Sequence, residues 1–291
     1  MCDTAPVQAS RPKVAVVGHV EWVTFARVPH VPRAGDVLHA SDPFDEPAGG
    51  GAVAAVQLAR LAGESMLLTA LGEDEHGRLA VARLSELGVE AHAARRPDCP
   101  TRTAVTLVDD RGERTITTFG RRLEALGADD MPWSSLAEMD AVYFTAGDLD
   151  VLRAARGAHV LVASPRALDA LGHGVPLDAL VLSADDAIER GEADRARRDA
   201  ELVVLTEGKR GGTYMRRDGT SGRWDSAPPP DHARDSYGCG DSFAAGLTYA
   251  LGAGLALADA LDLAARCGAA CLTGRGPYER QLTAADLEGG R

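Results

Sequence analysis

The sequence predicts an α/β fold with a central, mostly parallel sheet, and three observations carry that prediction. Short β-branched runs alternate with helical segments through the middle of the chain. An apolar run at residues 13–18 (KVAVVG) ends in glycine near the start. Two β-rich stretches, near 20–40 and 101–119, interrupt the alternation without adding helices. Strand–helix alternation at this spacing implies βαβ units around parallel strands.

Taken in order, residues 13–18 read as a buried first strand. Residues 20–40 mix Val, aromatics and Pro and read as exposed strands or a flap. Three glycines at 49–51 open an Ala-, Val- and Leu-rich helix over 52–61. A strand at 66–70 and an amphipathic helix over 74–87 follow, then a second irregular β stretch at 101–107 and 114–119. The middle repeats a simpler beat: strand 141–145, helix 149–156, strand 159–163, a short helix near Leu168, strand 180–183, a charged helix over 187–199 and strand 202–206. Residues 211–215 and 222–226 read as a hairpin, and apolar helices cover 242–251 and 257–272. The prolines at 228–230 aim the chain into the next loop. The two β-rich insertions are expected to form a small sheet over the carboxyl edge of the main one, where open α/β sheets bind ligands.

Composition narrows the function classes. The 291 residues are 45% hydrophobic and 25% charged, with a formal net charge of −12. An acidic surface repels phosphate backbones, which argues against a nucleic-acid partner, and a phosphate-bearing ligand then needs a local positive site. Lysine occurs only at Lys13 and Lys209. The five cysteines are odd in number, scattered and free of any CxxC pair, which suits a reducing cytoplasm and not a disulfide framework or zinc site. Cys267 and Cys271 read as small core residues on one helix face. No apolar run reaches the length of a membrane span, and the start of the chain lacks a signal-peptide core.

The most informative stretch is residues 235–243, DSYGCGDSF. A Gly-x-Gly turn feeds a helix there. Small residues at Gly238, Cys239 and Gly240 let a ligand approach the backbone. The first amides of a helix lack internal partners and, with the helix dipole, form an anion site that needs no lysine. Asp241 stands at the same mouth, placed to take a proton from a hydroxyl lying between it and the anion. That arrangement is what phosphoryl transfer to an alcohol requires.

DSYGCGDSF resembles the D-T-x-G-A-G-D-x-F signature of the ribokinase, or PfkB-type, carbohydrate kinases, with Ser236 for Thr and Cys239 for Ala. The segment LTEGKRG at 205–211 is similar to the family's strand-end T-x-G-x-x-G, and AARCGAACLTGRG at 264–276 resembles its late helix and turn. No Walker-type G-x-x-x-x-G-K-[ST] and no GxGxxG after the first strand occurs. The resemblance implies a single ribokinase-like three-layer α/β/α domain over 1–291, with a lid from about 19–45 and 99–120. It implies ATP as donor, Mg²⁺, a cytoplasmic enzyme and a hydroxymethyl acceptor on a sugar or nucleoside; a monovalent cation stays an open addition.

Carried over by position, Asp241 is the general base, and Gly238, Cys239 and Gly240 line the anion hole. Ser183, Thr206, Glu207, Gly208, Lys209, Arg210 and Gly211 hold nucleotide, with Gly240 at its phosphates and Ala265, Gly274 and Gly276 near its base. On the acceptor side the family's two polar anchors are replaced: Val23 and Val53 fall on the Asp and Asn positions, beside Gly49 and Gly50. Glu21 and Trp22 are candidates to compensate, Glu21 by accepting hydroxyl bonds and Trp22 by stacking on a ring. Arg102 and Arg114 are candidates to reach an anionic substrate. For the metal, Asp186 is expected to act through water and Asp235 is a second candidate. A homodimer through the lid strands is a further expectation, since exposed β edges seek partners. The alternative function is a catalytically inactive ligand-binding or regulatory protein with a kinase fold.

Overall fold

A computed structural model describes residues 11–167, 169–186 and 194–288. The strands are β1 (Val14–Val17), β2 (Glu21–Arg27), β3 (Ser41–Ala48), β4 (Ser65–Gly72), β5 (Val89–Arg96), β6 (Thr103–Val108), β7 (Arg114–Phe119), β8 (Ala141–Phe144), β9 (Val160–Ala163), β10 (Leu177–Ser183), β11 (Ala200–Thr206), β12 (Gly212–Arg216) and β13 (Ser221–Trp224). The described helices are α1 (Gly50–Ala62), α2 (Glu75–Glu86), α3 (Leu149–Ala155), α4 (Asp194–Asp199), α5 (Cys239–Gly252), α6 (Leu257–Cys271) and α7 (Ala284–Glu288).

Nine strands form the main sheet in the order β13-β12-β11-β10-β9-β8-β1-β4-β5. From β5 to β11 all neighbours are parallel, and β12 and β13 add an antiparallel edge. β1 is buried along its whole length because both faces of a parallel sheet are covered. Its alternating side chains feed two cores. Val14 and Val16 pack with residues of α1, α2, α5 and α6 on one face. Ala15 and Val17 pack with α3, Ala196 of α4 and Leu136 on the other. The result is the expected three layers.

The chain runs β1 to β4 and β5 on one side, then returns to β8 on the other. The strand order therefore reverses between β1 and β8. In an open sheet that reversal opens a crevice beyond the carboxyl ends of the strands.

A separate four-stranded sheet, β3-β2-β6-β7, sits over this edge, with β2 and β6 parallel and the outer pairs antiparallel. The sequence expectation placed strands across 20–40. Within that stretch only β2 forms, and its hairpin partner lies later, at β3. The intervening residues 29–36 are exposed loop, where Pro29 and Pro32 disfavour ladder pairing. β5 was not anticipated, because its Ala-, Arg- and His-rich sequence carries no β-branched run beyond Val89. α2 begins one residue after Asp74, whose side chain accepts from Gly77 N at 2.9 Å as its cap. A single helical turn at Pro165–Ala167 stands where a short helix is expected near Leu168, and Leu168 itself and most of the helix expected over 187–199 lie outside the described residues; 194–199 is helical.

Candidate active site

Four chain segments meet at the β1/β8 crevice: the residues after β1, the start of α1, the end of β8 and the start of α5. Their approach depends on glycine. A Cβ on Gly18 would fall 2.6 Å from Gly51 Cα, and one on Gly51 would fall 2.7 Å from His19 O. The backbones after β1 and at the head of α1 thus touch, joined by Gly51 N donating to His19 O at 3.1 Å.

α5 starts at Cys239 with Gly238 as its cap residue, at φ 80°, a left-handed conformation that glycine adopts without strain. Its first intrahelical bond is Ser242 N to Gly238 O, 2.8 Å, so the amides of Cys239, Gly240 and Asp241 lie in the turn without helical acceptors. A Cβ on Gly238 would press Val53 Cγ1 at 2.9 Å, whereas one on Gly240 would meet nothing within 4 Å. The turn is thus packed behind and open in front. Cys239 is partly buried, with its thiol near Cys271, and that contact together with burial raises its pKa well above the ordinary thiol value.

Asp241 projects from this turn into the crevice. Its Oδ1 lies 3.0 Å from where a Cβ on Gly50 would stand, and Thr145 Oγ1 and His19 Cε1 lie 3.4 and 3.5 Å from the same point. Burial raises the Asp241 pKa, opposed by the fields of Arg166 and Arg114. Around it sit two buried polar atoms without a partner, His19 Nδ1 and Thr145 Oγ1, and Glu21 Oε2, which has an ion-pair contact but no hydrogen bond. A buried polar group without a partner costs about 1–3 kcal/mol, so native proteins keep few of them.

His19 is buried, and burial followed by the fields of Arg122, Arg166 and Arg102 lowers its pKa to about 3. The ring is therefore neutral. Its Nε2 accepts from Gly50 N at 3.4 Å, which assigns the proton to Nδ1, the unpartnered nitrogen. Glu21 is 6% exposed, and its carboxylate lies 3.3 Å from Arg102 Nε. Burial raises its pKa, with Arg102 the largest opposing influence.

The acceptor candidates separate by the two-residue period of β2. Glu21, Val23 and Phe25 face inward, while Trp22 and Thr24 face the other side. Trp22 stacks on His76 of α2 at 5.8 Å between ring centroids, so the expected stacking of Trp22 on a substrate ring is not what this face provides. Val23 and Val53 are both 0% exposed and belong to the core, with Val53 wedged behind Gly238. Gly49, at φ 88°, donates its amide to Tyr237 Oη at 3.1 Å, and Gly50 lies under Asp241. Arg114 reaches across from the small sheet to Ser236 Oγ at 3.2 Å.

The nucleotide candidates occupy the β11 end of the same edge. Thr206 Oγ1 bonds Leu182 O at 3.1 Å, beside Ser183 at the end of β10, whose Oγ accepts from Asp185 N. Glu207 pairs with Arg223 at 2.8 Å and with Arg210 at 3.8 Å. Gly208 and Gly211 have φ of 56° and 76° and hold the tight turn, with Lys209 O accepting from Ser226 Oγ at 2.8 Å. A Cβ on Gly211 would overlap Trp224 O, so the turn lies flush against the strand end at 224–226. Next to it opens a cavity of about 510 Å³ lined by Trp224, Asp225, Ser226, Ala227, Pro228, Ala258, Asp262 and Arg266. Ala265 is buried in α6 beside this cavity. Gly274 and Gly276 do not line it. Gly276 packs under Phe44 and donates to Asp235 Oδ2 at 3.1 Å.

Asp235 is 3% exposed; Tyr237 N donates to its Oδ1 at 2.8 Å, and Gly276 holds its other oxygen. It ties the loop before α5 to the loop after α6. Asp186 stands 3.7 Å from Arg166. Among the described residues, no group of three or more His, Cys, Asp or Glu side chains is arranged to hold a metal ion. Reasoning from sequence missed His19, Thr145, Arg166 and the cavity lining. Thr145 and His19 follow strands on either side of the reversal, which is the signal that could have found them.

The family model for the pfkB family carbohydrate kinases matches residues 11–167 and 174–284. An ATP-dependent ribose-1-phosphate kinase of Halopiger xanaduensis is 31% identical over 137 residues, 46% of this chain and 46% of that protein. A ribokinase of Dictyostelium discoideum is 27% identical over 119 residues, 40% of this chain and 37% of its own. The chain's matches thus span about half or less of these relatives' lengths. Among solved structures, a putative ribokinase from Agrobacterium tumefaciens superimposes with TM-score 0.78 at 22% identity, covering 96% of each chain. A ribokinase from Cryptococcus neoformans in complex with ADP gives TM-score 0.74 at 21% identity, covering 96% of this chain and 99% of that one. These likenesses agree with the three-layer architecture and its small second sheet. With its model matched across nearly the whole described fold, the chain belongs to the pfkB family of carbohydrate kinases.

Proposed function

We propose that this protein is an ATP-dependent kinase that phosphorylates a hydroxymethyl group of a sugar or sugar-like acceptor, with Asp241 as general base. The observation that carries the reading is the Asp241 carboxylate, at the open mouth of α5, beside the unpartnered His19 Nδ1 and Thr145 Oγ1 and the Glu21 carboxylate paired with Arg102. A polar ligand carrying several hydroxyls satisfies His19 and Thr145 at once. Protein packing alone leaves those two atoms bare.

In this reading the acceptor hydroxyl lies between Asp241 and the amides of Cys239, Gly240 and Asp241. His19 donates from Nδ1, and Glu21 accepts from a second hydroxyl. Asp241 takes the hydroxyl proton as the oxygen attacks the γ-phosphorus, and the open face of Gly240 lets the phosphate reach the amides. Those amides offset charge that builds on the transferred group. The nucleotide base takes the cavity between the 224–228 strand end and α6, and the turn at 206–211 holds its phosphates.

Magnesium, which family membership implies, neutralises phosphate charge when it is bound with the nucleotide. The donor set fits an ion carried by ATP, since Mg²⁺ keeps several waters and needs only one or two protein carboxylates. Asp186, at the carboxyl edge, suits a contact through water. Asp235, with an amide on each oxygen, serves the loop architecture instead. The experiment is ADP release from Mg-ATP across a panel of sugars and nucleosides. Turnover with one of them is expected, and ATP left intact across the panel, with ligand still bound, would favour the binding-protein reading that Val23 and Val53 support.

The lid offers a partner surface. β7 is the outer strand of the small sheet, every residue in it is exposed, and Ile116 and Phe119 are 41% and 53% exposed. An unpaired apolar edge favours pairing with a second copy, and we propose a homodimer through it. Sedimentation is expected to give twice the chain mass, falling to one chain when Ile116→Lys and Phe119→Lys are combined; a monomer in the unmodified protein would end this proposal.

A further inference from the structure

The anion turn carries a reactive group that phosphoryl transfer does not use. Cys239 is the first residue of α5, between Gly238 and Gly240, and its side chain is partly buried. Behind it lies Cys271, the last residue of α6, which is 0% exposed. The packing of the two helices brings this pair together. A Cβ on Gly268, one turn before Cys271, would fall 3.1 Å from Cys239 O, so the end of α6 presses on the head of α5. A Cβ on Gly238 would fall 3.6 Å from Cys271 Sγ, which places that sulfur directly behind the turn.

Both thiols are held by one short loop. Cys271 Sγ donates to Tyr237 O at 3.4 Å, and Cys239 Sγ lies 4.0 Å from Asp235 O. The thiols also interact with each other, and that contact comes first among the causes that raise the Cys239 pKa. Cys267, one turn back on α6, is turned elsewhere: its Sγ packs 2.8 Å from where a Cβ on Gly246 would stand. In front of the turn the way is open, because Gly240 is exposed and a Cβ there would meet nothing within 4 Å. A small oxidant can therefore reach Cys239, and a phosphate seated on the same amides would cover it.

We propose that Cys239 and Cys271 form a reversible disulfide that pulls the anion turn out of shape, so that oxidation switches the site off. Only its effect on turnover rests on the kinase reading. Hydrogen peroxide supplies the oxidising equivalents. The Cys239 sulfur gives up its proton and attacks one peroxide oxygen. The O–O bond breaks, the hydroxide leaves as water with that proton, and Cys239 becomes a sulfenic acid. The Cys271 sulfur then gives up its own proton and attacks the Cys239 sulfur. The S–O bond breaks and a second water leaves. Two thiols and one peroxide thus give one disulfide and two waters, and a dithiol reductant reverses the bond by exchange. Because the thiolate is the attacking form and Cys239 is held protonated, closure needs oxidant in excess and not trace peroxide. The bond would draw the Cys239 side chain back towards α6 and tilt the amides of Cys239 and Gly240 away from the phosphate.

The test treats the reduced full chain with excess hydrogen peroxide, with and without Mg-ADP, and follows intact mass and turnover. The chain is expected to lose two hydrogens, and peptide mapping to join Cys239 to Cys271. Turnover falls by about 10²–10³, the worth of a preorganised donor to the transferred group, and dithiothreitol restores both mass and turnover. Mg-ADP slows closure. Cys271→Ser, whose hydroxyl can still donate to Tyr237 O, keeps the parent's turnover and melt but forms no cross-link; Cys267→Ala still forms it. A chain that gains oxygen without losing two hydrogens, or a cross-link that persists in Cys271→Ser, overturns the proposal. So does full turnover by the cross-linked form. If the reduced chain phosphorylates nothing yet the Cys239–Cys271 bond forms and Mg-ADP slows it, the kinase reading fails and the thiol pair stands.

Discussion

The two ends of the proposed reaction path are built in different ways. The phosphate end is one contiguous stretch, residues 238–242, in which a left-handed glycine, a helix start and a carboxylate follow one another along the chain. The acceptor end gathers His19, Glu21, Gly50, Thr145 and Arg166 from separate segments and holds them with tertiary contacts. A site made of consecutive residues is specified by local geometry, so it tolerates change only where the turn is open, as at Gly240, and not where it is packed, as at Gly238. A site gathered across the fold can exchange its members while the chemistry beside it stays fixed.

That contrast is open to direct attack. The largest effect is expected at Asp241. Asp241→Asn lowers kcat by about 10²–10⁴, the range of a positioned base, while calorimetry shows ADP affinity within about threefold. Equal losses in both measurements would place Asp241 in nucleotide binding. Next come the glycines on either side of Cys239. Gly238→Ala forces φ 80° on an alanine and drives its methyl to 2.9 Å from Val53, so the melt should show a loss of about 1–3 kcal/mol. Gly240→Ala meets nothing within 4 Å and should melt at or above the parent temperature. Identical melts for the pair would mean that the turn is not packed as described.

On the acceptor side the expected effects are smaller and sort by face. His19→Ala removes one donor to the acceptor and raises its KM by about 3–10-fold, the worth of a single neutral hydrogen bond. Trp22→Ala, on the opposite face of β2 against His76, should cost about 1–2 kcal/mol of stability with KM unchanged. A KM effect at Trp22 matching that at His19 would break the assignment of faces.

How much of this was legible in the sequence follows the same division. The alternation of strands and helices, the small-residue turn at 238–240 and the carboxylate after it could be read because each is a local pattern. The 20–40 stretch misled, because an apolar and aromatic composition does not say where a strand stops; the prolines around 30 were the better signal. Trp22 misled for a simpler reason. Adjacent residues on a strand face opposite ways, so Glu21 and Trp22 could not both line one pocket. His19 and Thr145 became candidates only once the strand order showed a reversal at β1 and β8, which no single segment encodes. Arg166 lies in a three-residue turn with no motif at all and is visible only through its neighbours in space.

The most direct test of the account is the pH dependence of kcat/KM for the best acceptor, in the parent protein and in Asp241→Asn. A base works only when deprotonated, and burial holds the Asp241 pKa above its ordinary 3.8. Activity should therefore fall on the acid side through an apparent pKa above 3.8, and the residual activity of Asp241→Asn should lack that limb. An acid limb of the same position in both proteins would show that another group carries the proton, and the reading of Asp241 as the base would be wrong.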